Sequence, residues 1–180
     1  MPPDETVVGD PFAISGLVTV EVWHETDPGS RAGHYDRPPD ERAQYHNLVV
    51  TTGRQFLARR IAGDSNQTAP GSIMAWMAVG TGTVVPALTD GSTPGLYGEI
   101  KRKALSTNSA GITAVNIYTA VATFGGAAES IQSIAITEAG VFNHVGSGQG
   151  TEFQRVTGTF ATLADSDLVK FTLETNVGSS

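Results

Sequence analysis

Only one stretch of this sequence carries helix punctuation at both ends, and that scarcity constrains the fold more than any other feature. Thr52-Gly53-Arg54-Gln55 has the spacing of a capping box, in which the Thr52 hydroxyl accepts from the amide of residue 55 and Gln55 reaches back. Gly63 stands where a left-handed cap closes a helix. Between these ends Phe56, Leu57 and Ile61 can form an apolar stripe, with Arg54, Arg59 and Arg60 largely off it. The spacing predicts a helix over about residues 52–62, too short to stand alone, so it must pack on a sheet. A parallel α/β fold would need more crossover helices than this.

The remaining apolar residues follow the period of a strand. Val18, Val20 and Val22 share one face of Ile14–Trp23. Leu168, Lys170, Thr172 and Glu174 alternate with Val169, Phe171, Leu173 and Thr175. Ile73–Val79 is an apolar run ending at Gly80, and Glu99–Leu105 reads as a partly exposed strand. Ile112–Phe124, Ile131–Phe142 and Glu152–Phe160 complete about seven strands, separated by Gly-rich or Asp/Ser turns. The expected fold is mainly β: an antiparallel β-sandwich or barrel-like sheet with one short helix and long loops.

Residues 1–13, with three prolines and three acidic residues, read as an extended N-terminal arm, and residues 14–180 as a single β-rich domain. Residues 26–44 mix prolines, glycines and both charges and read as a long loop, leading to the extended segment Tyr45–Val50. Residues 81–97 read as a second long loop. A chain of 180 residues with 39% hydrophobic content can bury roughly 70% of its unfolded surface, without staples.

Composition excludes several functions. The sequence has no cysteine, which removes disulfides, thiolate zinc sites and cysteine nucleophiles together. A net charge of −7 opposes general binding to nucleic acid, because phosphate binders need a basic surface. No apolar run approaches the roughly 18 to 20 residues that span a bilayer, and Met1–Glu5 has neither the basic start nor the apolar stretch of a secretory signal.

No catalytic constellation accompanies the fold. Gly80-Thr81-Gly82-Thr83 resembles a phosphate loop but lacks the third glycine, the lysine and the following helix; a strand-ending turn using glycine at positive φ is the simpler reading. His24, His34, His46 and His144 are scattered and read as surface or strand-edge residues. Asp64-Ser65-Asn66 and Asp165-Ser166-Asp167 lack the glycine and distal glutamate of a calcium loop and fit turn chemistry. Gly146-Ser147-Gly148 is not a nucleophile elbow. Expected, therefore, are no enzyme activity, no cofactor and no metal. The basic residues Arg54, Arg59, Arg60 and Lys101-Arg102-Lys103 are either a solvated face or a dock for an acidic partner.

A resemblance enters through ordered fragments: His46-Asn47-Leu48-Val49-Val50-Thr51-Thr52-Gly53-Arg54, then Met77-Ala78-Val79-Gly80-Thr81-Gly82-Thr83, then Gly98-Glu99-Ile100-Lys101-Arg102-Lys103-Ala104-Leu105. Ile136-Thr137-Glu138-Ala139-Gly140-Val141-Phe142-Asn143 and the closing Asp167–Leu173 follow. Over roughly residues 46–175 the chain resembles virion proteins of tailed bacteriophages, both small capsid-decoration or accessory proteins and attachment domains of tail-fibre and collar proteins. The resemblance implies a non-enzymatic structural protein made in the host cytoplasm and carried on the particle exterior. It would act as a decoration or cement protein, or alternatively as a tail-fibre, collar or baseplate adaptor. Its implied partners are the major capsid protein or tail and collar proteins, and it implies a homo-oligomer, a trimer by family analogy. A receptor- or glycan-binding module, stacking sugars on Trp23, Trp76 and the tyrosines, is the reading from another class. The expected contacts lie on the arm and the two loops, at Pro2, Pro3, Phe12, Tyr35, Arg37, Leu88 and Tyr97, and on the helix at Arg54, Arg59 and Arg60.

Overall fold

The computed structural model describes residues 14–24, 37–61, 73–90, 95–111 and 117–177. Among them nine strands and one helix follow in the order β1 (Ile14–Trp23), β2 (Glu41–Val49), α1 (Thr51–Ile61), β3 (Trp76–Gly80), β4 (Glu99–Ala104), β5 (Thr107–Gly111), β6 (Ile117–Gly125), β7 (Ala135–Phe142), β8 (Glu152–Thr162) and β9 (Leu168–Val177). Every pairing is antiparallel, in the order β4-β3-β7-β8-β2-β1-β9-β6-β5.

The two outermost strands of that order, β4 and β5, are consecutive in the chain. Leu105 donates its amide to Ala75 O at 2.9 Å beside β3, and Ser106 donates to Val121 O at 2.8 Å on β6. One run of chain therefore leaves one edge of the sheet and takes up the other, and the sheet becomes barrel-like. β2 turns the opposite corner. Its residues from Glu41 to Asn47 pair with β1, then Leu48 and Val49 pair with Arg155 and Gln154 of β8. Joined edges leave fewer unpaired amides to recruit foreign strands.

Period-two alternation builds the interior in rows. Across β1, β9 and β6 the rows read Val18, Leu173, Ala120; Val20, Phe171, Ala122; and Val22, Val169, Phe124. Met77, Val79, Ile136, Ala139, Val141, Val156 and Phe160 join the same buried cluster from the other side of the barrel. Phe171 meets Phe124 and Phe160 edge-on, at 6.2 and 5.4 Å between centroids. Each such side chain stabilises the fold by about 1.5–3 kcal/mol relative to exposure. On the outer face of the same strands Glu21 lies opposite Lys170 and Thr19 opposite Thr172, so one alternation supplies both core and surface.

The mainly β, antiparallel, barrel-like expectation is met, with corrections at particular elements. Nine strands replace the expected seven. Glu41–Gln44, read as loop, are strand, because Tyr45 packs edge-on against Phe160 and donates its hydroxyl to Thr159 O at 2.7 Å, fixing β2 on the sheet. Thr107–Gly111 is a strand without an apolar signature, and the expected run from Ile131 begins only at Ala135 after a turn with Ser130 and Ser133 at positive φ. The helix begins at Thr51, so the capping box does not form. Arg54 donates instead to Val50 O at 3.0 Å, and the Thr52 hydroxyl donates to Glu152 O at 2.7 Å. Tertiary contact with β8 takes the hydroxyl away from its local role. Phe56 and Leu57 pack on the barrel core as the stripe requires, whereas Gly63 lies outside the described residues.

Candidate functional site

The outer face of β3, β7 and β8 carries the most unusual chemistry of the molecule. One row across it reads Arg102, Ala78, Gly140, Arg155, so two small residues leave a trough between two arginines. Leu96 fills the trough, packing with Ala78 and Phe142 in a second, small apolar cluster. Leu96 belongs to the connection between β3 and β4, whose described residues, 81–90 and 95–98, fold back over the sheet.

Buried charge holds that segment down. Glu138 of β7 is fully buried, and its Oε1 accepts from the amides of Gly82 at 2.9 Å and Gly98 at 2.6 Å. Its Oε2 accepts from the Tyr97 amide at 3.2 Å and from Arg155 Nη2 at 3.0 Å. Arg155, also fully buried, donates Nη1 to Asp90 Oδ2 at 2.8 Å and Nη2 to Val84 O at 3.0 Å. Asp90 closes its own turn through the Ala87 amide at 2.8 Å and accepts from the Tyr97 hydroxyl at 3.2 Å. The Arg155 guanidinium sits 4.3 Å from the Tyr97 ring centroid. Three charged side chains thus fix both ends and the middle of the loop. Desolvating them is tolerable only because each carboxylate is matched by donors in good geometry.

Arg102 repeats the device. It grips Glu99 through two nitrogens at 2.9 and 2.6 Å, donates to His144 O and Gln149 O, and lies 4.0 Å from the Phe142 centroid. Lys103 points elsewhere, to Glu129 at 2.6 Å. The run Lys101-Arg102-Lys103 is therefore not one basic patch.

Gly80 and Gly82 acquire a different meaning from the one expected. Positive φ among the described glycines falls at Gly95, Gly148 and Gly150, not at these two. A Cβ on Gly82 would stand 2.5–2.6 Å from the Glu138 carboxylate, so glycine is needed for close approach of that anion. The turn that resembles a phosphate loop does hold an anion, through the Gly82 amide together with those of Tyr97 and Gly98, and the anion is the protein's own glutamate.

Glu152, at the start of β8, faces the same assembly. It is buried, and its Oε1 has no hydrogen-bond partner. Burial pushes its carboxyl up to about 8, with Asp90 and Glu138 adding to the rise and Arg155 and Arg102 opposing it. Burial thus favours the neutral, protonated form of Glu152.

The pinned loop presents apolar side chains to solvent. Val84 is 49% exposed, Val85 77%, Leu88 48% and Tyr97 63%. Among the described residues, the other large exposed apolar side chains are Ile73 and Val145. Leu88 also meets the helix, its carbonyl accepting from the Thr51 amide at 2.8 Å. This crest, with α1 beside it, is the candidate functional surface.

The structure brings together part of the expected contact set. Leu88 and Tyr97 lie on the crest. Arg54 and Arg59 are exposed on α1, Arg54 donating Nε to Val49 O at 3.2 Å, while the Arg60 side chain is outside the described residues. Arg37 is elsewhere, at the far end of β1, where it holds Asp40 at 2.9 Å and His24 O at 2.7 Å. Pro2, Pro3, Phe12 and Tyr35 lie outside the described residues. Val84 and Val85, and the ions Asp90, Glu138 and Arg155 beneath them, were not singled out from sequence. The available signal was charge inside strands that otherwise read as buried.

His24 is not a bare surface histidine. Its ring bridges Asp167 at 2.9 Å and Glu41 at 3.0 Å, and the hydrogen bonds to Glu41 and then Asp167 raise its pKa. The Asp167 carboxylate also accepts the Ala164 amide at 2.8 Å, the turn chemistry expected there. Trp23 is buried and Trp76 half-buried against the small cluster, so neither offers an open stacking platform. Among the described residues no group of three His, Asp or Glu is arranged to hold a metal ion, and no helix is long and apolar enough to cross a membrane. Comparisons with protein-family models, with curated proteins and with solved structures give no match.

Proposed function

We propose that this chain is a non-enzymatic structural module of a tailed-phage particle, bound to the particle exterior as a decoration or cement protein that stabilises the assembled shell. One observation carries the binding part of this reading. An apolar crest, Val84, Val85, Leu88 and Tyr97, is held outward by a buried cage of ions that has no evident use other than to fix its shape. A loop ordered before binding loses little entropy on docking, so a small apolar contact suffices for useful affinity. Repetition of a modest contact around a symmetric particle multiplies its effect through avidity. The assignment to a phage particle rests on the fragment resemblance, whose quoted fragments fall on β2, α1, β3, β4, β7 and β9 and flank the crest residues Val84, Val85, Leu88 and Tyr97 without including them.

Crest variants and copy number test this. Val85→Asp combined with Leu88→Asp should leave the isolated protein folded and abolish its incorporation into particles. Hundreds of copies of the native chain per purified particle are expected for a decoration protein; a few copies would favour the tail-fibre, collar or baseplate adaptor instead. Wild-type incorporation of the double variant would end the crest reading.

A further inference from the structure

His24 follows the last residue of β1 and reaches two other parts of the barrel at once. Its Nδ1 lies 2.9 Å from Asp167 Oδ2, in the turn before β9, and its Nε2 lies 3.0 Å from Oε1 of Glu41, the first residue of β2. An ionised carboxylate only accepts hydrogen bonds, and a neutral imidazole carries a single N–H. Both contacts together therefore require the imidazolium. The backbone of His24 is engaged as well, its amide donating to Asp40 Oδ2 at 2.7 Å and its carbonyl accepting from Arg37 Nη2 at 2.7 Å. Arg37 Nη1 donates to Asp40 Oδ1 at 2.9 Å, the Asp40 amide donates to Val22 O at 2.8 Å, and the Trp23 indole donates to Arg37 O at 3.2 Å. Residues 37–41 are thus strapped to the end of β1 through Val22, Trp23 and His24.

The two arms of the ring are unequal. The Asp167 side chain is 5% exposed and its Oδ2 also accepts the Ala164 amide at 2.8 Å, whereas the Glu41 side chain is 64% exposed. Water replaces a lost donor at Glu41 but not at Asp167. When the ring gives up a proton, Nδ1–H is therefore kept on Asp167, and the Nε2 lone pair is left facing the Glu41 carboxylate, acceptor against acceptor. Among the described residues the charged groups about His24 are Glu41 from β2, Asp167 from the turn before β9, and Arg37 and Asp40 from the strap. Glu21 of β1 is taken up by Lys170 and Arg42, and Asp165, in the turn with Asp167, bonds the Ala127 amide through its carbonyl.

We propose that His24 is a proton-operated clasp: the imidazolium ties Glu41 to Asp167 across the end of β1, and loss of the Nε2 proton frees Glu41 and loosens residues 37–41 while the Asp167 bond stays. The clasp is closed in acid. It opens as pH rises through the His24 titration, which the hydrogen bonds to Glu41 and then Asp167 place above the ordinary 6.5. Neither the crest nor the ion cage beneath it takes part, so this inference stands or falls apart from the proposed function.

NMR on the full-length chain tests it, the His24 ring signals being those that vanish in His24→Gln. The wild-type ring should titrate above 6.5, and its neutral form should carry the proton on Nδ1. Corrected for intrinsic rate, the His24 and Asp40 amides should exchange at least about fivefold faster above that titration than below it, with the Val18 and Leu173 amides of the core unchanged. Glu41→Gln is at an exposed position and offers an amide that can pair with either form of Nε2, so it should fold normally and shrink the step to less than about twofold. Titration at or below 6.5, a neutral ring protonated on Nε2, or an exchange step of full size in Glu41→Gln would each overturn the clasp.

Discussion

The two faces of strands β3, β7 and β8 are closed by different physics. Inside the barrel, Met77, Val79, Val141 and Val156 meet the rows of β1, β9 and β6 in a dry apolar core. Outside, a loop is held over Ala78 and Gly140 by Arg155, Glu138 and Asp90. Apolar burial is non-directional and tolerates substitutions of similar volume. A buried ion cage tolerates almost none, because removing one member leaves its partners charged and unmatched. The inner face therefore secures the fold, while the outer face secures one shape of one loop.

The sharpest way to break the outer face is Arg155→Ala, which strands Glu138 and Asp90. A loss of about 3–5 kcal/mol is expected by chemical denaturation, together with fast amide exchange across residues 81–98. On the inner face, Phe171→Ala should cost about 3–4 kcal/mol, yet exchange in the loop should change only as global unfolding does. If both variants expose the loop alike, the two faces are one cooperative unit. Gly82→Ala, which forces the Glu138 carboxylate to move, should cost about 1–3 kcal/mol and loosen the loop ends first.

Glu152 gives a pH signature to the same contrast. Its carboxyl titrates near 8 in the fold and near 4.5 when unfolded, so the native state holds a proton through that interval that the unfolded chain has lost. Stability should be greatest below about 4.5 on this account and decline as pH rises to about 8, by on the order of a few kcal/mol. Glu152→Gln should remove that part of the slope, read from denaturation midpoints at pH 5.5 and 8.5. His24 has the same sign, since its raised pKa means a stabilising charge lost as pH rises through it. The smallest stability change belongs to the crest: Val85→Asp, at 77% exposure, should alter stability by less than about 0.5 kcal/mol.

Legibility from sequence followed the range of the forces involved. β1 was readable in full, and β9 up to Thr175, two residues short of its end, because alternation of Val18, Val20 and Val22, and of Val169, Phe171 and Leu173, is a property of neighbours along the chain. α1 was placed within one residue, yet its capping was misassigned, because Thr52 bonds Glu152, a hundred positions away. Glu41–Gln44 was mistaken for loop since charged residues facing solvent on a strand look like loop until the partner strand is known. Leu88 and Tyr97 were named as contacts from loop composition alone, and the crest they share with Val84 and Val85 was not visible in it.

By itself the sequence determined the antiparallel β class, the single helix and the apolar rows, because period and turn chemistry act within a few residues. Only the tertiary structure decided that Asp90, Glu138 and Arg155 meet in direct, buried contact and that residues 81–90 and 95–98 are folded down over them. Charges far apart in sequence carry no sign of their mutual distance, and whether they are buried depends on which strands come to lie side by side.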